Sequence, residues 1–215
     1  MDYHKNIARR AIISIENFTE ADLENAIINL FKEQGYDYIS GENMHRKFTD
    51  IILEDDLKAF LLSKYKNENL TDTEVTTIIS KITNISPLPE FQGNKDTFRQ
   101  LNTGFTLRRD DTGKDPIFID YFDFNIPENN RFKVVNQFTV EGEHKRRPDM
   151  LVFINGIPIV IFEFKSAIKE DTTLHSAYEQ ITIRYKRDIP ILTKYTTLAV
   201  ISDGANTKLG TIYTS

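Results

Sequence analysis

Residues 148 to 165 read Pro148-Asp149-Met150-Leu151-Val152-Phe153-Ile154-Asn155-Gly156-Ile157-Pro158-Ile159-Val160-Ile161-Phe162-Glu163-Phe164-Lys165. Two apolar runs meet at Asn-Gly; an acid opens the first, and an acid and an amine close the second. Asn-Gly between apolar runs is the strongest short-range hairpin signal, so the ribbon folds back and carries Asp149 toward Glu163 and Lys165. Side chains alternate along a strand, which puts Glu163 and Lys165 on one face and Phe162 and Phe164 on the other. Register decides whether Asp149 joins them. A two-residue turn with regular pairing sets Asp149 opposite Phe162, on the aromatic face. A three-residue loop centred on Gly156 sets it opposite Glu163, and that bulged or longer loop is the expectation.

Two carboxylates about 4 Å apart at an effective dielectric near 20 repel by roughly 4 kcal/mol, so a pair ionised together needs a cation. Oxygen ligands favour Mg2+, which keeps several waters and leans on one or two carboxylates plus substrate phosphate. The Lys165 ammonium, one step beyond, can orient or deprotonate a water and stabilise charge on a phosphate. Asp149, Glu163 and Lys165 are therefore the expected catalytic set, with Asp149 and Glu163 as metal ligands. The chemistry they suggest is metal-assisted phosphodiester hydrolysis.

The chain has 215 residues, 40% of them apolar and 27% charged, enough for a sizeable core. Cysteine is absent, which excludes disulfides and thiolate metal sites. No run approaches a membrane-spanning length and no signal pattern opens the chain, so it reads as cytoplasmic, without a membrane partner. A formal charge of −5 argues against nonspecific coating of nucleic acid as the sole task. Local basic patches sit beside the acids all the same: His144-Lys145-Arg146-Arg147 directly before Asp149, and Arg184, Lys186 and Arg187 downstream.

Thr19 caps a helical pattern with Leu23, Ile27, Leu30 and Phe31 on its apolar stripe, ending at Gly35, and Tyr36 to Ile39 reads as a short strand. Residues 54–67 and 72–84 read as helices, broken by Pro87-Leu88-Pro89. From Phe105 the character turns to β, with strands over 117–124 and 132–140. Residues 172–188 return to helix and Thr197 to Ser202 form a last strand, with Asp203 capping a turn. No P-loop is present. The expected fold is α/β, one domain over residues 1–215 with a central mixed sheet flanked by helices; Thr211 to Ser215 read as cut through an extended element, as in the N-terminal piece of a longer chain.

Pro148-Asp149, thirteen residues, then Glu163-Phe164-Lys165 resembles the PD-(D/E)xK nuclease signature. Pro127-Glu-Asn-Asn130, Val135 to Gly142, Arg147 to Pro158 and Val200 to Gly204 resemble the N-terminal nuclease region of type I restriction enzyme R subunits; residues 17–39 do so more loosely. The resemblance implies a restriction-endonuclease-like core that cuts double-stranded DNA with Mg2+. It further implies an ATP-driven translocase later on the same chain, with ATP bound only there, and separate methylation and specificity subunits. It also implies a metal-facing glutamate on the first helix, with Glu24 preferred over Glu20. Related nucleases carry Gln-x-x-x-Tyr on the helix after the lysine. Here four residues separate Gln180 from Tyr185, about 140° apart on a regular helix, and Arg184 takes the i+4 place. Gln180, Arg184, Lys145, Arg146 and Arg147 are the expected DNA contacts. The alternative is a noncatalytic DNA-binding or subunit-docking module that keeps the nuclease fold.

Overall fold

A computed structural model describes residues 19–166 and 174–213. In chain order the elements are α1 (Glu20–Glu33), β1 (Asp37–Ser40), α2 (Glu54–Lys64), α3 (Asp72–Thr83), α4 (Glu90–Thr103), β2 (Phe105–Leu107), β3 (Ile117–Ile119) and β4 (Phe132–Asn136). There follow β5 (Val140–Glu141), β6 (Lys145–Arg146), β7 (Met150–Ile154), β8 (Ile157–Phe164) and α5 (Leu174–Glu179), which runs through a π-helical turn (Gln180–Tyr185) into α6 (Lys186–Asp188). Helix α7 (Pro190–Thr193), β9 (Leu198–Ser202) and β10 (Thr207–Gly210) complete it. The main sheet has the order β1-β4-β7-β8-β9-β10. Its β1/β4 and β8/β9 pairs are parallel and the others antiparallel. The expected mixed α/β sheet is therefore present.

The hairpin corrects the expected loop and keeps its consequence. Asn155 and Gly156 form a tight two-residue turn, both with positive φ (51° and 77°), and Ile154 pairs with Ile157. Regular pairing from there would have carried Asp149 to Phe162. Instead Phe153 pairs with Pro158 and Val152 with Val160, leaving Ile159 as an extra residue. Each later pair is shifted by one, so Met150 meets Phe162 and the strand line reaches Asp149 opposite Glu163. The turn is held from outside. Asn155, fully buried, donates through Nδ2 to Tyr121 O (2.9 Å) and Asn130 Oδ1 (2.8 Å) and accepts from Arg131 N (2.8 Å). A Cβ on Gly156 would lie 2.2 Å from Leu53 O, so only glycine fits.

The sheet separates two cores. On one face Leu23 and Ile28 of α1 pack on Val134, Met150, Val152 and Phe164. On the other, Leu57, Phe60, Ile78 and Ile82 of the α2–α3 layer join Leu151, Phe153, Ile161 and Ile181. Thr19 caps α1 in a capping box with Asp22, as its sequence suggests. Leu30, expected on the stripe, is 55% exposed, and Ile28 is buried instead. Helix α4 was not foreseen: its segment is rich in Gly, Asn, Asp and Thr, and its inner face is Gly93, Thr97 and Leu101. The strand expected over 117–124 stops at Ile119, and that expected over 132–140 is interrupted after Asn136. Of the helix expected over 172–188, residues 172 and 173 lie outside the described residues, as do Thr214 and Ser215 of the final extended segment.

Candidate active site

The end of the sheet opposite the Asn-Gly turn collects the polar groups. Gln137 N donates to Asp149 O (2.8 Å), extending the β4–β7 ladder by one rung, and Lys165 N donates to Ser202 O (2.9 Å), extending β8–β9. Both side chains thus leave from backbone that the sheet holds in place. Asp149 Oδ2 accepts from Phe164 N (2.7 Å), which turns its carboxylate across the hairpin. Glu163 is fully buried, and Lys165 Nζ lies 3.6 Å from its Oε2 and 2.9 Å from Phe164 O.

Burial raises the Glu163 carboxyl to about 8, helped by the Asp149 charge and opposed by the Tyr185 hydroxyl and Lys165. Asp149 is raised as well, chiefly by burial, against the pull of Phe164 N and Lys165. The two acids titrate as a pair. Glu163 Oε2 is buried with no hydrogen-bond donor. A proton shared with Asp149, or a cation between the two acids, would satisfy it. Among the described residues no group of three or more His, Asp or Glu is arranged to hold a metal. Two carboxylates completed by waters and a phosphate nevertheless suit a hard divalent ion.

The other Glu163 oxygen accepts a short hydrogen bond from the Tyr185 hydroxyl, which in turn accepts from Gln180 Nε2 (2.8 Å). This contact is made by the π turn. A π turn closes at i+5 where an α turn closes at i+4, so the extra residue between Gln180 and Tyr185 is absorbed and the pair meets. The 140° separation expected of a regular helix does not occur. Tyr185 is buried, and burial followed by the Glu163 charge raises its hydroxyl pKa, keeping it a proton donor.

Lys145, Arg146, Arg147, Gln180, Arg184 and Tyr185 line one groove of about 230 Å³ beside these groups, so the structure brings the expected DNA contacts together. They are not equally free. Arg146 Nε donates to the buried Asp188 carboxylate (2.6 Å), and Arg147 lies 3.3 Å from Glu42. The Arg146 guanidinium is thus engaged by an internal acid as well as lining the groove. Both candidate glutamates on α1 are engaged by hydrogen bonds. Glu24 is held by Asn136 Nδ2 (2.6 Å) and Gln137 Nε2 (2.7 Å). Glu20 accepts from Ser166 N (3.0 Å), and it is Glu20 whose charge bears on Asp149.

The model of the type I restriction enzyme R protein N terminus matches residues 17–214. The chain belongs to that family. Among curated members, it is 37% identical over 202 residues to a Methanocaldococcus jannaschii protein named as a type I restriction enzyme MjaIXP endonuclease subunit, covering 87% of this chain and 19% of the relative. It is 26% identical to the Haemophilus influenzae type I restriction enzyme HindI endonuclease subunit (90% and 19%) and 27% identical to the Staphylococcus aureus SauCOLORF180P endonuclease subunit (88% and 19%). This R protein N-terminal chain thus spans about a fifth of the length of the curated relatives it matches.

Several phrases that carry the family resemblance have structural work in this R protein N-terminal chain. Asn130 of Pro127-Glu-Asn-Asn130 braces Asn155, while Asp123 accepts from Asn129 Nδ2 (2.8 Å). Asn136 and Gln137 hold Glu24, and Asp203 caps its turn through Asn206 N (2.6 Å). The sequence pattern gives no sign of Asp188 and leaves the part played by Tyr185 open. The signal for Tyr185 was the tyrosine itself, which needed only a wider turn.

Proposed function

We propose that this chain is the nuclease domain of a type I restriction enzyme R subunit and hydrolyses phosphodiester bonds of double-stranded DNA with Mg2+. The observation that carries the reading is a buried carboxylate pair with one oxygen lacking a donor, set beside an ammonium and a basic groove. The names of its relatives agree with it.

Asp149 and Glu163 would hold the ion. A divalent ion held there would supply a lowered pKa for a bound water and offset negative charge on the phosphate. Tyr185 fixes the Glu163 carboxylate from one side and leaves its Oε2 without a hydrogen-bond donor. Lys165 is fixed by the Ser202 carbonyl through its backbone, and its ammonium is set to orient the attacking water and to meet charge on the phosphate. The groove wall of Lys145 and Arg184 guides the DNA backbone. Inside a longer polypeptide of the relatives' kind, an ATP-driven motor and separate methylation and specificity subunits would bring the DNA to this site.

Cleavage of duplex DNA in Mg2+ by the assembled restriction enzyme that carries this chain tests this, in parallel with Asp149→Ala and Lys165→Ala. Each substitution should lower the rate by about 100-fold or more. Parental rates from both would leave only a noncatalytic docking module.

A further inference from the structure

The basic groove is built around an acid. Asp188 is fully buried, and two arginines converge on it: Arg146 Nε at 2.6 Å from Oδ2 and Arg187 Nε at 2.6 Å from Oδ1. Its main chain takes part too. Asp188 O accepts from Glu143 N (2.8 Å) and His144 N (3.4 Å). Gly142 passes so close that a Cβ there would stand 2.3 Å from the same oxygen. Side chain and backbone of this one residue therefore fasten the β5–β6 hairpin to the helix that carries Gln180, Arg184 and Tyr185.

The fastening sorts the cations of the groove. Arg146 and Arg187 are turned inward onto Asp188, and Arg147 is paired with Glu42. Lys145 and Arg184 are exposed and have no ion-pair partner among the described residues; they stand on the two opposing elements. Lys145 Nζ lies 4.7 Å over the Phe48 ring, which holds it without neutralising it.

We propose that Asp188 is a positioning residue for DNA binding: through Arg146 and its own main chain it clamps the hairpin to the helix, so that Lys145 and Arg184 face the backbone phosphates flanking the cleaved bond. The proposal rests on the nuclease reading above. It makes an unusual demand on sign. Removing a negative charge from a DNA-binding surface strengthens binding by simple electrostatics, whereas loosening this clamp weakens it.

The test is binding of a blunt duplex oligonucleotide to the full chain, followed by fluorescence anisotropy in EDTA over a range of salt. Lys145→Ala and Arg184→Ala should each lower the slope of log K against log salt by about 1. Asp188→Asn should weaken binding about tenfold and lower the slope as well, because Lys145 leaves its place. Gly142→Ala changes no charge and should do the same, which keeps the test open if Asp188→Asn fails to fold. In the Asp188→Asn background, a further Arg146→Gln should cost less than about twofold, since the partner it served is gone. Equal or tighter binding by Asp188→Asn, parental affinity and slope in Gly142→Ala, or an Arg146→Gln cost that is the same in both backgrounds overturns the clamp. A parental chain that binds no duplex at any salt would overturn the groove as a DNA-binding surface, while loss of cleavage in Asp149→Ala would leave the nuclease reading standing.

Discussion

Glu163 carries the pH behaviour of the molecule. Its folded pKa is about 8 against an ordinary value of 4.5, so between those limits the folded chain holds a proton that the unfolded chain has released. Stability from this group is full below pH 4.5 and is lost as the pH rises through 8; Asp149, also raised, adds in the same direction. Asp188, bonded by Arg187 and Arg146, and Glu74 of α3, bonded by Arg109, are both lowered to about 2 and act the other way only in acid, as the pH falls from the ordinary carboxylate range through 2. In EDTA the melting temperature should therefore fall from pH 5 to pH 8, and Glu163→Gln should flatten that decline. Mg2+ should raise the melting temperature more at pH 8 than at pH 6, because it needs the deprotonated pair. An equal effect of Mg2+ at both values, or an unchanged decline in Glu163→Gln, would show that the pair is not the titrating, ion-binding unit.

At the scale of elements, two local irregularities align the site. The bulge at Ile159 sets Asp149 across from Glu163, and the π turn sets Tyr185 against Glu163. Gly156→Ala should destabilise the chain by at least about 2 kcal/mol in urea unfolding, since it strains a left-handed position and collides with Leu53 O. Asn155→Ala strands the Arg131 amide and the Tyr121 carbonyl and should cost about 2 to 4 kcal/mol. Deleting the exposed Ile183 should turn the π turn into an α turn with glutamine and tyrosine at i and i+4, and cleavage should stay within about threefold of the parent. A loss of cleavage as complete as that of Asp149→Ala would mean that the wide turn does more than absorb a residue. Much of this was legible. The Asn-Gly turn, the alternation of faces and the grouping of Asp149, Glu163 and Lys165 follow from residue types and spacing. The bulge lies in the strand and not in the turn where the spacing puts it; Pro158, which cannot donate to a ladder, marks where regular pairing breaks. Helix α4 was missed because its residues are poor helix formers held by packing. The contact between Arg146 and Asp188 joins residues 42 positions apart, a distance at which local pattern is silent.

Across the whole molecule, one sheet serves both cores. Ile28, under α1, and Ile78, in the α2–α3 layer, lie on opposite sides of it. Each substitution to alanine should cost about 2 to 5 kcal/mol. Both should shift one shared urea transition with an unchanged m-value, as expected if the chain is a single domain; separate transitions would divide it. Among the described residues no helix is long and apolar enough to cross a membrane. The widened turn also matters to anyone searching genomes. A pattern that fixes the interval between glutamine and tyrosine at three residues would reject this chain, although its tyrosine reaches the acid. Allowing a fourth, with a π turn as the structural criterion, admits this chain.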